Sequence, residues 1–408
     1  MLIPTVLTAI SLAINLSAAA ELPLFRDFPS LGKAISRVEI LHGPTPLGPM
    51  PMLEARLYSE VGKPAPARPT LMVKRDDISE SPLGGNKARK LEFLLADIFG
   101  KGARGVVTSG MYGSNHALAT AVAAHEYGLK ATLILGPQPV TENVRKKLLA
   151  FHALGAKLHY HSNRIGMGLD MLWAYLADKI MPGRHPYYIP PGGSNRLGDV
   201  GYVNAFLELR DQLGVDGLPD TVVVPVGTMG TSAGLLVGTC LAGVWERVKI
   251  AGVNVADPLL TNDGATRSEA RRLYNFIRQS ADAADRARMP SCNFKSRKAF
   301  EFIEQYYAPG YGAAYPNVFS GMELLKQTEG LIVDSTYSAK AFLYFLDQSR
   351  HAIASGRALP HMLFWLTYNA YDFDQVINKH HWTNAAEKWR DLPKPFWRLF
   401  VEGRPRAQ

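Results

Sequence analysis

LMVKRDDISESPLGGNKARKLEF, running from Leu71 to Phe93, is the stretch whose reading decides the fold. It opens on an apolar run, Leu71-Met72-Val73, of the kind that fills a buried strand, and then breaks on Ser81, Pro82, Gly84 and Gly85. A helical pattern starts at Asn86, with Leu91, Phe93 and Leu94 as its apolar face. Lys87 therefore stands in the first turn of a helix, just past a glycine pair. Helix N-termini attract anions and repel cations, so a lysine there costs on the order of a few tenths of a kcal/mol. Two readings remain open at this point. The lysine is a solvated surface group that tolerates the cost, or its amine is meant to lose its charge, as a lysine that condenses with a carbonyl must.

Downstream of this helix the chain alternates. Gly105–Thr108 reads as a strand, followed by the turn GMYGSN and a helix from His116 to Tyr127. Thr132–Leu135 and Lys157–Tyr160 read as strands, with a helix over Thr141–Leu154 between them and another, Gly168–Lys179, after them. Tyr187–Ile189 is a short strand ending on Pro190-Pro191-Gly192-Gly193, and a helix follows over Gly198–Leu213. Val222–Val224 is a buried strand, Gly230–Leu241 an apolar helix and Ile250–Val255 a further strand. Arg267–Arg288 is charged and helical in pattern, and Gly330–Val333 and Met362–Trp365 read as late strands. Strand–helix alternation at this spacing predicts an α/β protein with doubly wound, open parallel sheets.

Composition narrows the class. Of 408 residues, 47% are hydrophobic and 20% charged, which describes a globular chain rather than a disordered or fibrous one. The net charge of +9 is spread along the sequence. Its densest basic groups, Arg145-Lys146-Lys147 and Arg267, Arg271 and Arg272, fit the polar faces of helices; no basic stripe interleaved with aromatics suggests nucleic acid. Cys240 and Cys292 offer neither metal-ligand spacing nor a disulfide framework, and Cys240 reads as core. Residues 1–20 are almost wholly apolar, but no Lys or Arg precedes Arg26, so the positive segment of a secretory signal is missing. The expectation is an optional extension on a cytoplasmic protein, with an export signal or a membrane anchor as alternatives. No other run is long and apolar enough to span a bilayer.

Two turns carry candidate chemistry. Gly227-Thr228-Met229-Gly230-Thr231 joins a strand to a helix, an arrangement that aims backbone N–H groups and a helix N-terminus at one point and suits a phosphate monoester. It is neither GxGxxG nor a P-loop, and an ordinary βα turn of small residues explains it equally well. In Gly110–His116, Ser114 and Asn115 are either an N-cap pair or the holders of a ligand's hydroxyl and carboxylate. His116 fits first-turn packing.

Together these residues resemble the fold type II, tryptophan-synthase-β-like enzymes that use pyridoxal phosphate, and within them the 1-aminocyclopropane-1-carboxylate deaminase/D-cysteine desulfhydrase family. The resemblance rests on Lys74-Arg75-Asp76-Asp77, on Gly84-Gly85-Asn86-Lys87-Ala88-Arg89-Lys90-Leu91-Glu92, and on Gly110–His116 and Gly227–Thr231. It continues through Pro309–Gly312, Tyr337-Ser338-Ala339-Lys340 and Phe364–Asn369, so that it spans about Pro23 to Asp372. It implies a smaller domain, residues 81–200, inserted into a larger one made of 21–80 and 201–375, with 376–408 as a tail and pyridoxal 5'-phosphate in the cleft. It further implies that Lys87 carries the cofactor as a Schiff base and then serves as base at the substrate's α-carbon. Asn115 would bond the cofactor's 3-hydroxyl, and Gly227, Thr228, Met229, Gly230 and Thr231 its phosphate. Ser338 and Thr367 would lie by the pyridine nitrogen, Tyr337 against the ring, and Ser114 and Tyr311 toward the substrate.

The cofactor is an electron sink, and the protein chooses which bond breaks. The ring-opening deaminases of the family place a glutamate where this chain has Ser338. A neutral group there implies a weaker sink and favours α,β-elimination on a small amino acid, of D or L configuration, giving ammonia and a 2-oxo acid. The alternatives are a 1-aminocyclopropane-1-carboxylate deaminase, or a cofactor-binding or interaction protein without turnover. No metal is expected, and a homodimer is what the family implies. The chain departs from the family pattern at Ala339, Met229 and Leu366, which bear on the width of the site.

Overall fold

The computed structural model describes residues 21–67, 70–77, 82–180, 186–307 and 309–401. The apolar stretch 1–20 and Ser81 lie outside the described residues. Ten strands form two sheets: Leu47–Pro49 (β1), Leu71–Arg75 (β2), Gly105–Met111 (β3), Lys130–Gly136 (β4), Lys157–Tyr160 (β5), Tyr187–Ile189 (β6), Thr221–Val226 (β7), Lys249–Asn254 (β8), Phe300–Ile303 (β9) and Met362–Leu366 (β10). The larger sheet runs β1-β2-β10-β7-β8-β9 and the smaller β5-β4-β3-β6. Every pairing is parallel except β1 with β2.

The larger sheet shows why its strands read as unbroken apolar runs. Val222 and Val224 of β7 and Leu363 and Trp365 of β10 enter one core; Val223, Met362, Phe364 and Leu366 enter the core on the opposite face. Helices cover both faces, so both side-chain sets must be apolar. A third core fills the smaller sheet and its helices, and the tail belongs to it: Trp382 stacks on His152, and Phe396 packs against Tyr112 and Tyr160.

The quoted segment is tied to the larger sheet by buried charge. Arg89 donates to Asp76 at 2.9–3.0 Å and to Glu208 at 2.8–3.0 Å, and Lys74 donates to Glu208 at 2.5 Å. Tyr202 and Trp365 donate to the second oxygen of Asp76. The Lys-Arg-Asp-Asp run thus anchors β2 against the helix Asn86–Gly100 and the helix Arg196–Leu213, while Arg75 pairs with Asp77.

Several expectations are corrected. Gly330–Val333 joins neither sheet: Leu331 and Val333 are buried beside an exposed Ile332, but among the described residues no strand pairs with them. The sheet edge is formed instead by β9, whose Phe-Glu-Phe-Ile is hidden in a charged stretch. Arg267–Arg288 is two helices, Asp263–Ser280 and Ala283–Arg288, broken where the Asp282 carboxylate caps the second by accepting from the Asp285 N–H. Cys240 is core, but it is bonded to Cys292, 52 residues on, with 5.9 Å between their Cα atoms. Two cysteines at that separation carry no spacing signal, and only the packing of the helix Gly230–Leu241 on the later segment brings them together. No described helix is long and apolar enough to cross a membrane.

Candidate active site

Lys87 sits in the first turn of the helix Asn86–Gly100, whose N-cap is Gly85 at φ 70°. The left-handed conformation favours glycine. Contact forbids a side chain as well: a Cβ on Gly85 would lie 2.9 Å from the Thr367 carbonyl oxygen and 3.0 Å from the Asn369 nitrogen. The helix start is thereby seated directly on the chain leaving β10. Burial pushes the Lys87 amine down to about 7, Lys90 adds repulsion, and only Asp199 opposes them. Among the described residues no carboxylate lies within ion-pair distance of Lys87. Of the two readings of this lysine, the structure supports the one in which its amine is readily uncharged near neutrality.

A cavity of about 490 Å³ opens on Lys87. Ser114, Asn115, Gly227, Thr228, Met229, Thr231, Tyr311, Tyr337 and Thr367 all line it, drawn from segments up to 280 residues apart. Gly230 and Ser338 stand one layer behind. Ser338 is fully buried, with its hydroxyl 3.2 Å from that of Thr367. Tyr311 and Tyr337 share a hydroxyl–hydroxyl hydrogen bond; burial pushes Tyr311 up to about 12 and also raises Tyr337 well above its ordinary value, so both keep their protons.

The glycine turn is built under constraint. Met229 has φ 65°, the one positive value outside glycine among the described residues, and it caps the apolar helix Gly230–Leu241. A side chain in that conformation costs about 1 kcal/mol or more, and such strain concentrates at functional sites. Behind the turn, Lys90 donates to Asp199 at 2.8 Å and to Ser194 at 2.7 Å, and the Ser194 hydroxyl meets that of Thr228 at 2.7 Å. Burial raises Asp199 to about 6 against the pull of Lys90. A Cβ on Gly230 would fall 2.0 Å from Asp199 Oδ1 and 2.5 Å from Lys90 Nζ, so only glycine lets the helix start rest on this pair.

Ser114 and Asn115 divide between the two readings of their turn. Ser114 is an N-cap, accepting from the Ala117 N–H at 3.1 Å, and it also lines the cavity. Asn115 Oδ1 accepts from Lys147, which leaves its amide N–H₂ as the donor end. This overturns the placing of Lys147 on a polar helix face: it is buried, donates to the Gly113 carbonyl at 3.0 Å and is pushed down to about 8 by burial. Of its neighbours, Lys146 reaches outward to Asp372 and Asp374, whereas Arg145 is largely covered and donates to the Leu399 carbonyl at 2.8 Å. His116 packs in the first turn as expected, its Nε2 2.9 Å from Thr108, and burial holds it well below its usual value and neutral.

Three features escaped the sequence reading. Lys147 carried no signal. Asp334 lines the cavity with both oxygens engaged, accepting from the N–H groups of Tyr337 and Ser338; an Asp a few residues before a helix was the available hint. Ser194 and Asp199 follow the Pro-Pro-Gly-Gly turn and meet Lys90 of the quoted segment only in three dimensions.

The donor set suits a phosphorylated aldehyde. It offers one amine that loses its charge easily, an anion-seeking helix start, a directed amide, and, on the cavity wall, the buried polar atoms Ser109 Oγ and His116 Nδ1, which have no protein partner among the described residues. Comparison with known proteins agrees. The pattern of a family described as "Pyridoxal-phosphate dependent enzyme" matches residues 38–359. A D-cysteine desulfhydrase of Klebsiella pneumoniae is 32% identical over 317 residues, 76% of this chain and 88% of that protein. The crystal structure of an "ACC deaminase homologue" superposes with TM-score 0.65 at 28% identity, covering 88% of this chain and 99% of that one. Threonine deaminase isoform 2 of Solanum lycopersicum, at 16% identity, 87% and 86% coverage and TM-score 0.52, shares the fold.

Proposed function

Because the chain belongs to the pyridoxal-phosphate-dependent enzymes of fold type II, we propose that it is a lyase of the D-cysteine desulfhydrase kind, removing ammonia and a β-substituent from a small amino acid. The observation that carries this is the neutral Ser338–Thr367 hydroxyl pair, with Thr367 on the cavity wall, together with an Asp334 whose two oxygens are already engaged. Lys87 would hold the cofactor through its amine, the Gly227–Thr231 turn its phosphate and the Asn115 amide its hydroxyl. Ser338 and Thr367 would lie by the ring nitrogen, and Tyr337 against the ring. When bound, the cofactor supplies a sink for the electron pair left at the substrate's α-carbon.

The chain's own groups do the rest. Lys87 Nζ, lowered by burial to about 7 and so readily deprotonated near neutrality, can take the α-proton. Tyr311 and Tyr337 hold protons at their hydroxyl oxygens and share one hydrogen bond, placing a proton donor beside the substrate. Lys147 fixes the Asn115 amide so that its donor end serves the ligand. The strands and helices of residues 81–200 form the smaller unit of the cleft, inserted in the larger.

The test is a panel of D- and L-amino acids given to the holoprotein, with 2-oxo acid and ammonia measured. D-cysteine is expected to yield pyruvate, hydrogen sulfide and ammonia. Formation of 2-oxobutanoate from 1-aminocyclopropane-1-carboxylate would favour ring opening, the activity suggested by the name of the solved relative. A coloured protein inert on the whole panel would reject turnover. The phosphate site has its own test. Gly230→Ala drives a methyl into the Lys90–Asp199 pair and is expected to weaken pyridoxal phosphate binding about 5- to 150-fold, the equivalent of an overpacking cost of about 1–3 kcal/mol. Unchanged affinity in a spectrophotometric titration would remove the turn from the site.

A further inference from the structure

Two buried lysines of this chain are matched by a carboxylate: Lys74 holds Glu208 and Lys90 holds Asp199. Lys147, on the helix Glu142–Ala153, is not. It is 7% exposed, and among the described residues no carboxylate lies within ion-pair distance of it. Its ammonium donates to two neutral oxygens, the Gly113 carbonyl at 3.0 Å and Oδ1 of Asn115, and lies 5.8 Å from the centre of the Tyr368 ring. Burial pushes Tyr368 up to about 12, so that group is neutral as well. Asp334 acts on Lys147 without touching it, and both of its oxygens already accept from the N–H groups of Tyr337 and Ser338. Against that pull, burial lowers the Lys147 amine to about 8, which leaves it mostly charged at pH 7. Lys340 also lacks a carboxylate, but it gives its donors to the Tyr307 and Gly310 backbone. Those of Lys147 lead into the site.

A buried charge without a counter-ion is costly. Orienting an amide does not require one, since a neutral N–H or O–H at the same place would fix Asn115 as well. What only a cation adds is polarisation. With its oxygen drawn to the ammonium, the Asn115 amide has its N–H₂ end pointed away from Lys147, and those N–H groups become stronger donors. Asn115 shares the cavity wall with Lys87. The charge is thereby relayed to the oxygen that the N–H₂ end meets, and an anionic oxygen gains the most. The opposite end of the site offers no such charge: Ser338 and Thr367 present neutral hydroxyls 3.2 Å apart.

We propose that Lys147 is a positioning residue whose charge, relayed by Asn115, holds the 3-oxygen of bound pyridoxal phosphate as its anion. The inference rests on the reading above in which Asn115 meets that oxygen. It assigns the counter-ion of Lys147 to the ligand, and it puts the positive charge of the site at the 3-oxygen instead of beside the ring nitrogen.

The experiment compares two ligands on the full chain freed of cofactor: pyridoxal 5'-phosphate, and its 3-deoxy analogue, which keeps the aldehyde and the phosphate but has no 3-oxygen. Affinities are read by spectrophotometric titration at pH 7, so turnover plays no part. Wild type is expected to prefer pyridoxal phosphate. Lys147→Met is expected to weaken pyridoxal phosphate about 10-fold, as for residues coupled in one hydrogen-bond network, and to leave the 3-deoxy analogue within ~2-fold. Lys147→Gln restores donors without charge and is expected to behave as Lys147→Met does. Should Lys147→Met fail to fold, the Lys147→Gln comparison decides by itself. Equal losses for both ligands would mean that only the shape of the site had changed, and would overturn the proposal. So would unchanged affinities in Lys147→Met, or a Lys147→Gln that binds pyridoxal phosphate as wild type does, because orientation would then suffice. Wild-type protein that binds both ligands alike would reject the placing of Asn115 on the 3-oxygen, and the inference with it.

Discussion

Lys87→Ala is expected to lower turnover at least ~10⁴-fold, because it removes the amine proposed both to hold the cofactor and to act as base at the substrate's α-carbon, and a positioned base alone contributes about 10²–10⁴-fold. The variant should still bind pyridoxal phosphate through the Gly227–Thr231 turn, but without the absorption band of the lysine-linked form. The same amine sets a pH dependence. Burial lowers it to about 7 from the ordinary 10.5, with Lys90 assisting and Asp199 opposing. Only the uncharged amine attacks an aldehyde, so uptake of pyridoxal phosphate by the cofactor-free protein should rise with pH through about 7 and level off above it. The sign for stability follows the same shift. Between about 7 and 10.5 the unfolded chain holds a proton that the folded one has released, so the cofactor-free protein should gain stability as pH rises across that window. Stopped-flow uptake rates and melting temperatures against pH check both. A Lys87→Ala enzyme that still turns over, or an uptake rate flat from pH 6 to 9, would overthrow the assignment.

Arg89→Ala is the substitution expected to cost the most stability. Its guanidinium is buried and bonded to Asp76, Glu208 and Thr45. Removing one partner of a buried ion pair typically costs about 3–5 kcal/mol, because the remaining charge is left desolvated. Lys74 still reaches Glu208, but among the described residues Asp76 would keep only the Tyr202, Trp365 and Thr45 side chains. Burial by itself would raise the Glu208 carboxyl; Arg89 and Lys74 overcome it and hold the group at about 2 instead of 4.5. A depressed carboxyl contributes stability that is present above about 4.5 and is lost as pH falls toward 2, on the order of 3 kcal/mol. Guanidinium unfolding from pH 7 to pH 3 should show this acid limb in the wild type and a weaker one in Arg89→Ala. A variant within ~1 kcal/mol of wild type, or one with an undiminished acid limb, would show that the network is not what ties the Lys87 helix to the larger sheet.

Elements whose evidence is local were legible in the sequence. The apolar runs at Leu71, Gly105, Thr132, Val222 and Met362 become sheet strands because parallel strands buried on both faces must be apolar throughout. The Lys87 helix begins at Asn86 as its glycine pair and periodicity imply, and the Gly227–Thr231 turn joins a strand to a helix. The cavity holds most of the residues singled out beforehand because they lie on strand-to-helix turns, which point to one side of a parallel sheet. Hidden features were those set by long-range packing. Lys147 sits in a stretch patterned like a solvated helix face, yet the Gly113 turn and Asn115 cover it. Phe300–Ile303 is a strand only because β8 offers it an edge, whereas Gly330–Val333, more apolar, finds no edge at all.

What the sequence determined by itself was the strand–helix alternation from Leu71 to Val255, the lysine at a helix start and the small-residue turn suited to an anion, since each depends on residues within a few positions of one another. The tertiary structure alone decided that Lys90 and Asp199 underlie that turn, that Ser338 stands behind Thr367, that Cys240 meets Cys292, and that one face of Arg164–Ile180 is left to solvent. Periodicity states which side of an element is apolar; whether another layer covers that side is a property of the packed chain.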